Sequence, residues 1–345
     1  MFKVGIVGAG FIGRKRAEIA TAHPDTQVAL VYDVEEEVAA EVAAENGGQV
    51  ATSWQELVAA DLDIVVVATT HDALAEISTA ALAAGKHVLC EKPMGRNPVE
   101  ARLAVEAAQQ NGRVLKVGYN HRYHPGVQKV YEVCAAGEIG PLMSIRGRYG
   151  HGGRPGYDRE WRAIPEKAGG GELLDQGAHL IDLAKWILGD FAEVKGYTET
   201  HFWDMKPLED NAFGLFRTDE GQIASLHVSW TQWKNLFSFE VFGRDGYAAA
   251  EGLGRSYGPE YAIVGRRNPE GGAPEIERFD YPEEDRSWEL EWADFLRGIE
   301  GSATPYSAGA EALATLEWIY RLYRASAEGR PVRKEEDATA YRVIG

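Results

Sequence analysis

Two places in the chain combine residue types that can move protons with a local pattern that could aim them. The first is Gly85-Lys86-His87-Val88-Leu89-Cys90-Glu91-Lys92-Pro93. Val88, Leu89 and Cys90 make a short apolar strand, and Gly85 closes the helix before it. Pro93 cannot donate a ladder hydrogen bond and stops the strand, which fixes Lys92 at its end. Strand ends of open α/β sheets border the ligand crevice, although a solvated lysine in a plain turn has the same local pattern. The second place is Asp175 and His179, four residues apart beside an apolar stripe of Leu174, Ala178, Ile181 and Ala184. That spacing sets both on one helix face. Such a pair can be a tie that stabilises a helix, or a base with an oriented ring. No third ligand of clear type lies nearby, so no metal is expected. His121 and His124 flank a turn and are expected to be structural, and Cys90 is expected to be a buried thiol.

Other residues point to what such groups would work on. Lys3-Val4-Gly5-Ile6-Val7 is a buried strand, followed by Gly8-Ala9-Gly10-Phe11-Ile12-Gly13 and a helix from about Arg14 to Ala22. Gly8 allows the tight turn, Gly10 lets a pyrophosphate approach the backbone, and Gly13 permits close helix–strand packing. A second strand, Val28 to Tyr32, ends at Asp33, 20 positions after Gly13, where a carboxylate can accept from ribose hydroxyls. Strand, glycine turn, helix, strand and acid in this order predict a dinucleotide site. Asp33 would repel a 2′-phosphate, and Val34 and Glu35 offer no cation, so the cofactor expected is NAD rather than NADP. Thr69, Thr70 and His71 end the strand Ile64 to Val67 at the same sheet edge and are expected to line the cofactor cleft with Glu91 and Lys92.

These residues need elements to hold them. Strands and helices alternate to Gly118, predicting six strands of a doubly wound parallel sheet. After Tyr119 the pattern changes. Strands near Leu142 to Tyr149, Glu193 to His201, Ala212 to Arg217, Gln222 to Trp230 and Leu236 to Phe242 lack helical periodicity, and Asp219-Glu220-Gly221 and Asp245-Gly246 are hairpin-like turns. The fold class expected is an α/β Rossmann N-terminal domain, residues 1–120, plus an α+β C-terminal domain, 121–345, with a large, open, mostly antiparallel sheet. Gly252 to Gly272 is glycine-rich and expected to be irregular. Helices are predicted over 288–298 and 308–327, and Trp230, Trp233 and Phe237 are expected in the core.

With 36 Lys and Arg against 53 Asp and Glu, the net charge is −17, and no basic stripe suits nucleic acid. Two cysteines fit a reducing compartment, and no apolar run approaches membrane-spanning length. The expectation is a cytoplasmic protein without nucleic-acid or membrane partners.

The motifs Gly8 to Gly13, Glu91-Lys92-Pro93, Gly118 to Pro125, and Gly169-Gly170-Gly171 followed by Leu174 to Asp182 together resemble the glucose–fructose oxidoreductase / inositol dehydrogenase / rhizopine-catabolism (Gfo/Idh/MocA) oxidoreductases. The resemblance spans residue 2 to about 190. It implies a nicotinamide cofactor, a cis Lys92–Pro93 bond, a site between two domains, and Lys92, Asp175 and His179 as the catalytic lysine, aspartate and histidine. It also allows a cofactor-binding sensor without catalysis.

Oxidising a secondary alcohol needs a base near neutral pH and a positive charge for the developing alkoxide. His179 fits the first role with Asp175 behind it, and Lys92 the second, though which of the two carries the proton stays open. The substrate expected is a sugar, sugar acid or nucleotide sugar, with a neutral inositol-like polyol as the alternative. Arg154, Arg159 and Arg162, interleaved with Tyr157 and Trp161, could bind an anionic group on it. Asn120 and Arg122, within the Gly118–Pro125 motif, complete the expected substrate contacts. The apolar-faced C-terminal sheet suggests a homodimer or homotetramer.

Overall fold

Ile64-Val65-Val66-Val67 is buried at every position, as a strand covered on both faces requires. It is the centre of a parallel sheet in the computed structural model, which describes residues 1–341 and Val343. The strands are β1 (Phe2–Val7), β2 (Thr26–Tyr32), β3 (Gln49–Val50), β4 (Ile64–Val67), β5 (His87–Cys90) and β6 (Leu115–Val117), in spatial order β3-β2-β1-β4-β5-β6. The crossover helices are α1 (Phe11–Ala22), α2 (Glu36–Asn46), α3 (Trp54–Ala59), α4 (His71–Ala83) and α5 (Pro98–Asn111). Order reverses between β1 and β4, and the ends of these strands carry Gly8, Ala68 and Thr69. Ligands of such sheets bind at this switch point.

Two compact units divide the chain, the first holding Met1–Tyr119, Lys167–Gly169 and Trp288–Ala314, the second the rest. A division at residue 120 assigns 288–314 to the C-terminal domain, yet these residues gather with the first unit. The physical reason is an apolar face: Trp292, Phe295 and Leu296, at i, i+3 and i+4, join Val4, Ile6, Val28, Val31 and Leu89 in one core.

The second unit is built on nine strands. Among the elements framing it are α6 (Pro125–Ala135), β7 (Leu142–Gly150), a single turn α7 (Pro165–Ala168) at its border, and α8 (Ala178–Leu188). Strands β8 (Glu193–Glu199), β9 (Asn211–Arg217), β10 (Ile223–Ser229), β11 (Leu236–Gly243), β12 (Gly246–Glu251), β13 (Glu260–Arg266), β14 (Glu275–Tyr281) and β15 (Val332–Arg333) complete it. All neighbours pair antiparallel except β7 with β10. The remaining helices are α9 (Ser287–Ile299) and α10 (Gly309–Glu328).

Three expectations change here. The stretch 252–272 is not irregular throughout: Glu260–Arg266 pairs along its length with β12 and β14. Its partner segment Ala248-Ala249-Ala250 has little strand propensity of its own, and ladder partners override that. Trp230 and Phe237 are core, but Trp233 is 63% exposed. Residues before α8 do not continue one regular helix, because Leu173–Gly177 forms a π turn.

Candidate active site

Gly8 begins the cofactor loop with φ +89°, and a Cβ there would lie 2.4 Å from the Ala68 carbonyl oxygen. A Cβ on Gly13 would lie 1.7 Å from the Gly8 carbonyl oxygen, so α1 can start this close only on glycine. Gly10 differs: nothing lies within 4 Å of where its Cβ would be, and it caps α1 with no side chain. The first turn of α1 therefore offers amides to an open space, with no acidic side chain in that turn. Asp33 accepts from the Ala9 N–H at 2.6 Å and from the Glu35 N–H at 3.0 Å, which ties the end of β2 to the loop. Phe11 is 80% exposed and Ile12 partly so. An uncapped helix start, a backbone cradle and a carboxylate at the second strand end fit a dinucleotide. Thr70 caps α4 and its hydroxyl donates to Asp72 at 2.6 Å, while Thr69 donates to the Thr70 carbonyl at 3.1 Å. His71 is buried, with Nδ1 2.8 Å from the Ala168 carbonyl, so its ring is engaged within the fold.

Lys92 follows β5, is partly buried, and precedes Pro93 through a cis bond. Its neighbour Glu91 turns inward. Arg16, fully buried on α1, donates Nε at 2.8 Å and Nη2 at 2.6 Å to Glu91 Oε1, and its Nη1 lies 2.7 Å from Glu291 Oε2. The Trp288 ring lies 4.4 Å from the guanidinium carbon. Beside this triad, buried Lys116 donates to Asp294 at 3.2 Å and to the Tyr306 carbonyl at 2.5 Å. Burial raises the Glu291 carboxyl above its ordinary range against the pull of Arg16. The Glu91 side chain thus holds α1 to the strand end that carries Lys92. Burial also pushes the Cys90 thiol up to about 12, which leaves it protonated and inert.

In the second unit, the π turn Leu173–Gly177 carries Asp175, and α8 carries His179. Inserted π turns recur at functional sites because they re-aim side chains that a regular helix would align. Glu209 anchors this turn: it accepts from the Gly171 and Leu173 N–H groups at 3.1 and 2.9 Å and from the Tyr323 hydroxyl at 2.8 Å. A Cβ on Gly171 would lie 1.9 Å from the Glu209 carbonyl oxygen, so the glycine run serves this close approach. Burial raises Glu209 to about 7.

Asp175 and His179 are both 5% exposed. Asp175 Oδ2 accepts from Arg162 Nε at 2.8 Å, and Arg162 lies over the Trp161 ring at 4.4 Å. His179 stacks on His121, with ring centroids 3.8 Å apart and planes 22° from parallel. Nothing in the local pattern around His121 announced that contact.

Two family models match this chain. The model described as "Oxidoreductase family, NAD-binding Rossmann fold" covers residues 2–119, and the GFO/IDH/MocA C-terminal domain covers 127–249. The chain belongs to the GFO/IDH/MocA family. It is an NAD-dependent oxidoreductase. It is 31% identical to 1,5-anhydro-D-fructose reductase of Ensifer adhaerens, over 97% of this chain and 99% of that protein. It is 30% identical to D-glucoside 3-dehydrogenase of Escherichia coli (strain K12), over 66% of this chain and 70% of that one. Among solved structures, GenD2 from gentamicin A biosynthesis in complex with NAD is similar at 27% identity and a TM-score of 0.83, covering 97% of each chain.

Within this family member, the arginines expected to hold an anionic group are largely engaged. Arg154 donates to Glu160 at 2.7 Å, Arg162 is on Asp175, and Arg159 is exposed. Arg122 is buried and forks onto Asp182, with Nε–Oδ2 and Nη2–Oδ1 both at 2.7 Å. It therefore joins α8 to the segment before α6. Asn120 Nδ2 donates to Ser287 Oγ at 3.1 Å, and its Oδ1 lies 3.2 Å from His121 Nδ1. Tyr157 is buried among His151, Trp203 and Trp230, 5.6, 5.8 and 4.9 Å away between ring centroids. Its phenol is held above its ordinary range by burial. Trp161 and His151 remain partly exposed near these groups.

Proposed function

We propose that the enzyme interconverts a secondary alcohol and a ketone on a neutral sugar or sugar derivative. The observation that carries this reading is that two of the three arginines before the π turn are already on carboxylates, Arg162 on Asp175 and Arg154 on Glu160, so that of the three Arg159 alone is left for an anion and no paired guanidinium cradle forms. The relatives named for anhydrofructose and glucoside substrates agree in substrate class. Bound nicotinamide supplies or accepts the hydride. Gly8, Gly10, Phe11, Ile12, Gly13 and Asp33 would hold the pyrophosphate and ribose of that cofactor, with Thr69 and Thr70 at the cleft edge. His179 takes the hydroxyl proton in the oxidative direction, Asp175 supports the charge on the ring, and Lys92 donates a hydrogen bond to the substrate oxygen. Trp161 is the polar-faced aromatic best suited to lie against a sugar ring.

A panel of neutral glycosides, anhydrosugars and inositols, set beside uronates and nucleotide sugars and followed by cofactor absorbance, tests the reading. Neutral compounds should carry the higher kcat/KM. A clear preference for the charged ones would restore the anion reading.

NAD should be strongly preferred to NADP. Asp33→Ser with Val34→Arg removes the repulsion and adds a cation, so the ratio of kcat/KM for NADP over NAD should rise at least about tenfold, the scale of one surface charge contact at a ribose phosphate. An unchanged ratio would mean that Asp33 does not read the ribose.

The reading includes a homo-oligomer in the cytoplasm. Tyr197, Phe213, Leu215 and Ile223, on adjacent strands β8 to β10, are 43–60% exposed, and Phe213 stacks on His227 at 4.1 Å. A sheet face this apolar suits a second copy of itself. Light scattering should give at least twice the chain mass, and Leu215→Glu should lower it to the monomer. Both cysteines are free thiols, as a reducing compartment favours.

A further inference from the structure

Two buried imidazoles lie in face-to-face contact in the second unit, and the catalytic reading uses only one. His121 and His179 are 6% and 5% exposed, with centroids 3.8 Å apart. Asn120 fixes the orientation of the first ring. Its Nδ2 donates to Ser287, which turns its Oδ1 toward His121 Nδ1, so that nitrogen carries a hydrogen. Any further proton on His121 therefore goes to Nε2.

Two imidazolium ions cannot both form at this distance in a buried site without strong repulsion. The surroundings do not offset it evenly. Tyr149 lies edge-on to both rings, 5.1 and 6.2 Å away, and burial holds its phenol well above its ordinary range, so it stays neutral. Tyr257, hydrogen-bonded to Tyr149, is likewise raised, to about 12. Phe237 closes the side of His121 at 5.7 Å. Of the charged groups, Asp182 is matched by Arg122, and Asp175, which accepts from Arg162, is the acid that the catalytic reading sets behind His179. Glu260 sits on His124 at 2.9 Å, with Asp285 3.9 Å from its other nitrogen, and His124 in turn meets His121 edge-on at 5.7 Å. Glu172, buried before the π turn, is the remaining acid beside Tyr149 and Tyr257.

We propose that His121 and His179 titrate as one coupled pair holding a single proton, and that His121 thereby keeps His179 available as a base at acid pH. While the proton rests on His121, His179 is neutral. An isolated His179 would be charged, and useless as a base, throughout the same range. The proposal rests on the reading of His179 as the base; His121 is a positioning residue that sets its charge.

The test has two arms. In the full-length protein with isotopically labelled histidine, magnetic resonance should show the pair taking up its first proton near the ordinary imidazole range and its second at least about two pH units lower, the behaviour of strongly interacting sites. Two independent steps within one unit of each other overturn the proposal. The second arm compares kcat/KM at pH 8 and pH 5. His121→Phe keeps a ring against His179 but cannot take a proton, so its ratio of rates should exceed that of the wild type by about tenfold, one pH unit of lost base. Equal ratios overturn the proposal. His121→Gln repeats the comparison should the Phe variant not fold, and the wild-type titration decides the matter if neither folds. Normal turnover in His179→Asn would instead remove the base assignment, and leaves the coupling to the resonance titration alone.

Discussion

Replacing His179 by Asn should lower kcat by about 100-fold to 10,000-fold, the usual contribution of a positioned acid–base group. The loss should fall on kcat more than on KM, because proton removal belongs to the transition state. Lys92→Ala should cost a comparable factor, since on the proposed reading it deletes the cation that meets the developing alkoxide. Asp175→Asn should cost less than either, because Arg162 and the π turn still hold the side chain in place while its charge is lost. In all three, NAD affinity measured by fluorescence quenching should change by no more than about threefold, far less than the factor expected in rate. The double variant of Lys92 and His179 should lose little beyond the worse single variant if both serve one step. Near-normal kcat in either single variant would separate that residue from the chemistry.

Arg16→Met is expected to destabilise the first unit by about 3–5 kcal/mol, the cost of breaking a buried ion pair by removing one partner. Both Arg16 and Glu291 are fully buried, so water cannot replace the missing guanidinium. Two carboxyls, Glu91 and Glu291, would then sit in the interior with their matched cation gone. Burial already raises Glu291, and without the pull of Arg16 it shifts further up. A carboxyl raised in the folded state contributes its stability below its unfolded pKa and loses it as pH rises through the folded value. The deficit in denaturant midpoint should therefore widen from pH 5 to pH 8. A pH-independent deficit would mean that packing of the side chain, not its charge, matters. Glu291→Gln should be milder, because Arg16 keeps Glu91.

The cofactor half of the enzyme was legible in the chain itself. Gly8 and Gly13 act through backbone geometry and Asp33 ends the next strand, all within one β-α-β unit, and local sequence determines local backbone. The five contiguous strands of the second sheet from β11 to β8 were legible for the same reason, since alternation and turn residues are short-range signals. The local pattern also set Lys92 at the end of a strand, and the roles of Lys92, Asp175 and His179 belong to the proposed reading.

The partners were not. Arg16 finds Glu91 75 residues away, Arg122 finds Asp182 60 away, and no spacing rule reaches that far. Of the candidate ligand contacts, Arg122, His71 and the Glu91 carboxylate are held by other parts of the fold, because a buried charge or imidazole must be matched wherever packing brings a partner. The strand Glu260–Arg266 depends on its neighbours in the ladder, and the helices after 287 are divided between units by which faces they bury. The stacking of His121 on His179 belongs to the same class. Sequence alone determined which groups could do the chemistry and where the cofactor loop begins; only tertiary packing decided which charges are matched within the protein, since that depends on residues the chain places far apart.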